Sequence, residues 1–404
     1  MNEPLPTLKD LEVEGRRVMV RCDLNVPLRD GQISDDLRIR AAVPTLEALL
    51  DRGAKLVVCS HLGRPKGKVV EELRLAPVAE RLGDLLHRHV TSVTEVVGDH
   101  ATRAVSSQAD VVLLENLRFE PGETENDPRF ADALAALADA YVDDAFGAVH
   151  RAHASVVGVP ERLPSAAGLL LEDEVTKLEK VLEEAEHPFV AILGGAKVSD
   201  KLAVISNLMD RVDAFCIGGA MAFTLLVARG EEVGRSLVEE DQVDEVKKTL
   251  ELAAERGVEI LLPTDVVAAS SPEEGAEHDT VPLAGIGSHL GVDIGPQTAE
   301  AFAKEIAKAK TVLWNGPMGI FEIDDYAGGT KRVAEAVADA TTKGAYTVVG
   351  GGDSAAALEQ LGLSDSVSHL STGGGASLEL LEGKELPGIA VLRHKKLDDQ
   401  RSSQ

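Results

Sequence analysis

Two kinds of residue recur at the ends of short apolar runs in this 404-residue chain, and each suits an anion in its own way. In the first half they are side chains: Asp23 and Asn25, His61 and Arg64, Asn116 and Arg118, then His150, Arg151 and His153, with Arg38 and Arg40 in "DDLRIR". A guanidinium offers a planar fork of donors that matches carboxylate or phosphate oxygens in pairs, so this set points to a small anion with more than one charged group. In the second half they are glycines: Gly194-Gly195, Gly218-Gly219, Gly316 with Gly319, Gly350 to Gly352, and Gly373 to Gly375. Glycine lets backbone N–H groups approach a ligand closely, and a helix N-terminus adds partial positive charge. Five such turns in one half read as the phosphate site of a nucleotide. Lys197 and Lys201, four positions apart in "FVAILGGAKVSDK", are expected on one helical face beside it. Their spacing after the glycines is not that of a Walker loop.

Other readings stay open for single residues. Arg38 has Asp35 and Asp36 close in sequence and could be a surface ion-pair residue, whereas Arg64 sits in "SHLGRPKG", where Gly and Pro prescribe a tight functional loop. Glu322, in "NGPMGIFEIDD", is either a surface acid or an acceptor for ribose hydroxyls. Asp353, opening "DSAAALEQ", is either a helix cap or a Mg²⁺ contact, direct or through water. His150 and His153 lack further ligands at metal spacing, so capping or anion contact suits them better than zinc. A nicotinamide-dependent dehydrogenase would need a G-x-G-x-x-G turn with an acid about 20 residues on, which neither "LGGAKVSDK" nor "VVGGGDSAAA" supplies. A two-lobed binding protein without catalysis would have no use for five glycine-rich strand ends and two spaced lysines in one lobe, but a catalytically inactive relative stays open.

These residues need a scaffold that brings strand ends together. Short β-branched runs alternate with Ala/Leu/Glu-rich segments of helical period, the pattern of βαβ units and parallel sheets. Candidate strand ends are 18–25, 55–65, 110–119 and 140–151, then 189–197, 214–223, 311–319, 346–354 and 367–377. In an open parallel sheet ligands sit beyond the carboxyl ends of the strands. The length calls for about two domains of roughly 200 residues. Leu171, Val175, Leu178 and Leu182 at helical spacing predict a linker helix over 169–187 between an N-terminal domain, 1–168, and a C-terminal domain, 188–386.

Composition narrows the partners. Lys and Arg number 41 against 68 Asp and Glu, a formal charge of −27, so binding to nucleic acid or to an anionic membrane by bulk charge is not expected. The three cysteines, Cys22, Cys59 and Cys216, lie in apolar runs without paired spacing and read as buried thiols of a reducing compartment. The start of the sequence lacks a signal-peptide pattern and no stretch approaches a membrane span, so a cytoplasmic protein is expected.

Taken together, "RCDLNVPL", "SHLGRPKG", "LLENLRF", "DDAFGAVHRAHAS", "LGGAKVSDK", "NGPMGIFE", "GGGDS" and "STGGGAS", in that order, resemble the phosphoglycerate kinase family from about residue 8 to about 394. The resemblance implies two Rossmann-like α/β domains joined by a linker helix and hinge. It implies reversible transfer of the acyl phosphate of 1,3-bisphosphoglycerate to ADP, giving 3-phosphoglycerate and ATP, with Mg²⁺ accompanying the nucleotide. Asp23, Asn25, Arg38, His61, Arg64, Arg118 and Arg151 would then contact the phosphoglycerate. Lys197, Lys201, Gly291, Asn315, Glu322, Gly350, Gly351, Gly352, Asp353 and Ser354 would serve the nucleotide, with Asp353 toward the metal. Arg38, Lys197 and the amides of Gly373, Gly374 and Gly375 would act on the phosphoryl group in transfer. The sequence departs from the family's usual residues at Cys22, Leu24 and Ser354, where Val, Phe and Thr are common, and a serine hydroxyl keeps the same hydrogen-bonding ability. The family further implies a monomer, closure about the hinge, and a C-terminal segment, 387–404, that completes the N-terminal domain.

Overall fold

The computed structural model describes residues 4–29 and 31–402, with side chains of the last helix described as far as His394. Contacts divide the chain into two compact units, one running to Val175 and resuming at Glu385, the other spanning Thr176–Lys384. The helix Leu169–Glu183 contains the point of division.

The first unit is built on a six-stranded parallel sheet. Its strands are β1 (Arg17–Arg21), β4 (Lys55–Cys59), β5 (Val90–Ser92), β6 (Val111–Leu113), β7 (Ala140–Asp143) and β8 (Ser165–Ala167), in the order β5-β6-β4-β1-β7-β8. A two-stranded ribbon, β2 (Leu28–Arg29) with β3 (Gln32–Ile33), follows β1. Strand side chains alternate between faces. Val18, Val20, Leu56, Val58 and Val142 enter one core. Met19, Val57, Cys59, Val112 and Tyr141 enter another on the opposite face. Burial of both faces explains why "RVMVR" and "KLVVC" read as apolar runs rather than as an alternating pattern. The C-terminal helix Pro387–Ser402 belongs to this unit, and Gly388 donates its N–H to Val149 O at 2.9 Å.

The second unit holds β9 (Phe189–Leu193), β10 (Ala214–Ile217), β11 (Glu259–Leu261), β15 (Thr311–Asn315), β16 (Tyr346–Gly350) and β17 (His369–Leu370), parallel in the order β11-β10-β9-β15-β16-β17. One face of this sheet packs Val190, Ile192, Cys216, Val312 and Trp314 against Phe302, Ile306, Val333 and Val337 of the helices Pro296–Ile306 and Gly328–Thr342. A separate antiparallel sheet, β13-β12-β14, is formed by β12 (Asp265–Ala269), β13 (His278–Pro282) and β14 (Leu290–Ile294).

Each expected strand-end segment holds a strand shorter than the segment, the rest being loop or the start of a helix. Of 55–65 only Lys55–Cys59 is strand, and 346–354 passes from Tyr346–Gly350 into the helix Gly352–Gln360. Sequence periodicity misses β5, β8 and β11, three-residue strands too short to show a pattern. It also misses the antiparallel sheet, which interrupts the βα alternation. All three cysteines are buried and unpaired.

Candidate active site

In the first unit the loops after the carboxyl ends of β4, β6 and β7 carry His61 and Arg64, Arg118, and His150, Arg151 and His153, while Arg38 and Arg40 stand on a helix. Arg38 lies in the first turn of the helix Leu37–Asp51, where the helix dipole disfavours a cation. Asp23, just after β1, offsets this, accepting from Arg38 Nη1 at 2.8 Å. The sequence neighbours are not its partners. Asp35 accepts from Leu37 N, and Asp36 pairs with Arg81 and Arg40. The hydrogen bond from Arg81, with Arg40 nearby, holds the Asp36 carboxyl below its ordinary pKa.

Asn25 Oδ1 accepts from Gly63 N at 2.8 Å, so this side chain fixes the loop that presents His61 and Arg64. Arg118 anchors the same loop by donating to Gly63 O at 2.8 Å. Its guanidinium is pushed down to about 10, by burial first and then by the neighbouring cations Arg21 and Arg151. Such crowding of positive charge marks a place that awaits an anion. Arg64 and Arg151 are exposed, whereas His61 is buried with Nδ1 3.1 Å from Arg21 Nη2. Burial, followed by Arg21, Arg118 and Arg38, pushes the His61 imidazolium far below its ordinary pKa, so the ring is neutral near pH 7.

Sequence reasoning missed Arg21 and Glu123, both completely buried. The available signal was the arginine inside the apolar strand "RVMVR": a charge there must find a partner. Its carboxylate partner comes from a short helix, Pro121–Thr124, with no sequence link to it.

In the second unit two adjoining cavities share Gly195, Ala196 and Asp353. The first, about 450 Å³, has apolar walls that include Phe223, Leu237, Val266, Val292 and Met318, with Gly291 and exposed Glu322 on its border. A Cβ on Gly291 would stand 2.1 Å from the Phe223 ring, so only glycine fits there. The second, about 520 Å³, is lined by Lys197, Lys201, Asn315, Gly351, Gly352, Asp353, Ser354, Gly374 and Gly375, with Asp200 and Glu382. Gly350 ends β16 beside it, and buried Gly373 precedes the pair Gly374-Gly375.

Lys197 and Lys201 do not share a helical face. The helix begins at Leu202, with Lys201 at its N-cap and exposed Lys197 in the preceding loop, because the chain first turns through 198–201. They meet instead at the cavity wall. Lys201 donates its ammonium to Asn315 Oδ1, and burial lowers its pKa against the opposing pull of Asp200, Glu382 and Asp353. The Asn315 Nδ2 group is buried without a protein acceptor. Ser354 is buried, its Oγ accepting from Gly316 N at 2.7 Å. Asp353 is not a cap: Gly351 takes that position, leaving Asp353 exposed in the first turn of Gly352–Gln360.

The glycine turns divide into two sets. The N–H groups of Gly194, Gly195, Gly218 and Gly219 donate to Asn315, Pro317, Leu193 and Met318 carbonyls, so they are already committed to the backbone. These glycines are required by close approach: a Cβ on Gly194 would stand 2.0 Å from Pro317 O, and one on Gly219 2.5 Å from Gly195 N. By contrast Gly352 and Gly374 have no heavy atom within 4 Å of a Cβ position, and they open helices whose first N–H groups have no intrahelical acceptor. Sequence cannot separate the two sets, since both are Gly-Gly after a strand.

Among the described residues no group of three or more His, Cys, Asp or Glu could by itself hold a metal ion. The donor set fits Mg²⁺ of the kind that keeps its waters and phosphate ligands and takes one carboxylate, with Asp353 at the junction of the cavities as that residue.

A sequence model described as phosphoglycerate kinase matches residues 8–384. The chain is 57% identical over 389 residues to the phosphoglycerate kinase of Thermomicrobium roseum, covering 96% of this chain and 98% of that one. To the enzyme of Thermosipho africanus it is 52% identical over 394 residues, with the same coverage. Among solved structures, phosphoglycerate kinase from Coxiella burnetii matches with a TM-score of 0.89 and 40% identity, covering 97% of this chain and 100% of that one. The Pyrococcus horikoshii enzyme matches with a TM-score of 0.83 and 32% identity over the same shares of each chain.

Proposed function

The chain belongs to the phosphoglycerate kinase family, phosphotransferases that make 3-phosphoglycerate and ATP in glycolysis, and from that premise we propose which residues carry the transfer. The phosphoglycerate sits on residues 1–168 completed by 387–404, the nucleotide on 188–386, and 169–187 is the linker between them.

In one direction the nucleophile is an ADP phosphate oxygen, in the other a carboxylate, and both are ionised near pH 7. No general base is needed. What remains is in-line positioning and neutralisation of the charge spread over the phosphoryl group. Arg38 and Lys197 supply the cations, assisted by the amides of Gly374 and Gly375. The N–H of Gly373, expected to join them, already donates to Ser371 Oγ at 3.3 Å. Asp23 orients Arg38, and Asn25 holds the loop of His61 and Arg64. His61, Arg64, Arg118 and Arg151 bind the distant phosphate of the acid, which contributes mainly uniform binding.

Around the nucleotide, Gly291 borders the base pocket and Glu322 accepts from the ribose. Lys201, Asn315, Gly350 to Gly352 and Ser354 hold the phosphates. Mg²⁺ held with Asp353, directly or through water, supplies further neutralisation of the nucleotide phosphates when bound. The family further supports a cytoplasmic monomer, and none of the described helices is long and apolar enough to cross a membrane.

The observation that carries this reading is the pair of adjoining cavities in the second unit: an apolar chamber for a base, beside a glycine-lined one for phosphates into which Lys197 and Lys201 both come. The test is a coupled assay with ATP, Mg²⁺ and 3-phosphoglycerate. Turnover that needs all three supports the assignment, and no turnover in the folded protein would overturn it.

A further inference from the structure

Beneath the arginine cluster of the first unit runs a buried chain of polar groups. Glu123, completely buried, accepts from Ser155 Oγ at 2.7 Å on Oε1 and from Ser155 N at 3.0 Å on Oε2. Ser155 Oγ accepts in turn from Arg21 Nε at 2.9 Å. Arg21 Nη1 donates to Cys22 O, and its Nη2 reaches His61 Nδ1 at 3.1 Å. Every side chain on this path is buried.

An arginine is always protonated and can only donate. The nitrogen it faces must therefore be the unprotonated one, which puts the ring proton of His61 on Nε2. We propose that Glu123 is a positioning residue of the phosphoglycerate site: through Ser155 and Arg21 it fixes His61 as the neutral Nε2–H tautomer, a ready donor to a phosphate oxygen. The proposal deepens the substrate assignment above and rests on it for the ligand.

Charge accounts for the arrangement. A buried guanidinium is strongly unfavourable unless a counter-charge is near. Burial works against both ends and is the largest single influence at each. Yet Glu123 first, then Cys59, Asp143 and Asp23, together outweigh it at Arg21, and His153, Arg21 and Ser155 together outweigh it at Glu123, keeping both ionised. His153 Nδ1 is 3.6 Å from Glu123 Oε1, too far for a good hydrogen bond, so the bonded route runs through Ser155. With Glu123 neutral, Arg21 loses its largest counter-charge and Ser155 its acceptor, so the hold of Arg21 on His61 Nδ1 that selects the tautomer is weakened.

The ring nitrogens of His61 can be read by long-range ¹H–¹⁵N spectra of the ¹⁵N-labelled protein without any substrate. In the native protein Nδ1 is expected unprotonated and Nε2 protonated at neutral pH. In Glu123→Gln, His61 should become a tautomer mixture that titrates toward its ordinary range. The KM for 3-phosphoglycerate should rise about fivefold or more, while kcat and the nucleotide KM stay within about twofold. Ser155→Ala cuts the same path and serves if the glutamine variant does not fold. A native His61 protonated on Nδ1, or folded variants with an unchanged 3-phosphoglycerate KM, would overturn the proposal. Native protein with the stated tautomer but no kinase turnover would instead overturn the assignment of function.

Discussion

At the residue scale the arginines divide by what already holds them. Arg118 is spent partly on Gly63 O, and its pKa is lowered by burial first and then by the cations Arg21 and Arg151 around it. Arg38 is paired with Asp23, its side chain still 39% exposed. On this division Arg38→Ala should lower kcat by about two orders of magnitude or more, since a transition-state cation is lost. Arg118→Ala should raise the KM for 3-phosphoglycerate roughly tenfold with a modest change in kcat. Steady-state kinetics of both variants check this, and a near-normal kcat for Arg38→Ala would refute the role given to it. The arginines were legible in the sequence because strand-end loops have few other uses for them. Arg21 and Glu123 were not, because their pairing joins positions 102 residues apart through a serine from a third segment.

At the scale of elements, glycine has two jobs that one letter hides. Gly219→Ala puts a side chain at φ +66° and within 2.5 Å of Gly195 N, so a loss of roughly 1–3 kcal/mol or more is expected in urea unfolding. Gly352→Ala meets nothing within 4 Å and has no positive φ; its stability should stay within about 1 kcal/mol of native, while the nucleotide KM rises. Equal stability of the two variants would contradict the packing argument. The start of the helix Leu169–Glu183 is tied in a comparable way: Leu169 N donates to Thr45 Oγ1, and Leu170 N and Thr45 Oγ1 donate to Asp144 Oδ1. Burial raises the Asp144 carboxyl to about 8 despite these bonds. A raised pKa means that the folded state favours the protonated acid, so this contribution is full below pH 4 and declines as pH rises through about 8. Asp144→Asn keeps the accepting oxygen and removes the charge. It should flatten that decline in denaturant midpoint, and a variant less stable than native at pH 8 would contradict the assignment.

At the scale of the whole molecule, the residues proposed for phosphoglycerate fall in one compact unit and those proposed for the nucleotide in the other, so the proposed transfer calls for a motion that brings the two substrates together. Closure about the linker would do this and expel water that could otherwise accept the phosphoryl group. Solution scattering should show a smaller radius of gyration only with both 3-phosphoglycerate and Mg-nucleotide present; an unchanged radius with both would count against closure. The sequence by itself determined the α/β class and the family, and singled out the candidate residues at strand ends, because βαβ periodicity and strand-end residue types are local patterns. Only the tertiary structure decided which glycine amides are free, that Lys201 meets Asn315 rather than sharing a helix with Lys197, and that Arg21 lies on Ser155 and Glu123. These outcomes depend on which distant backbones and side chains come within hydrogen-bond distance, and no local pattern encodes that.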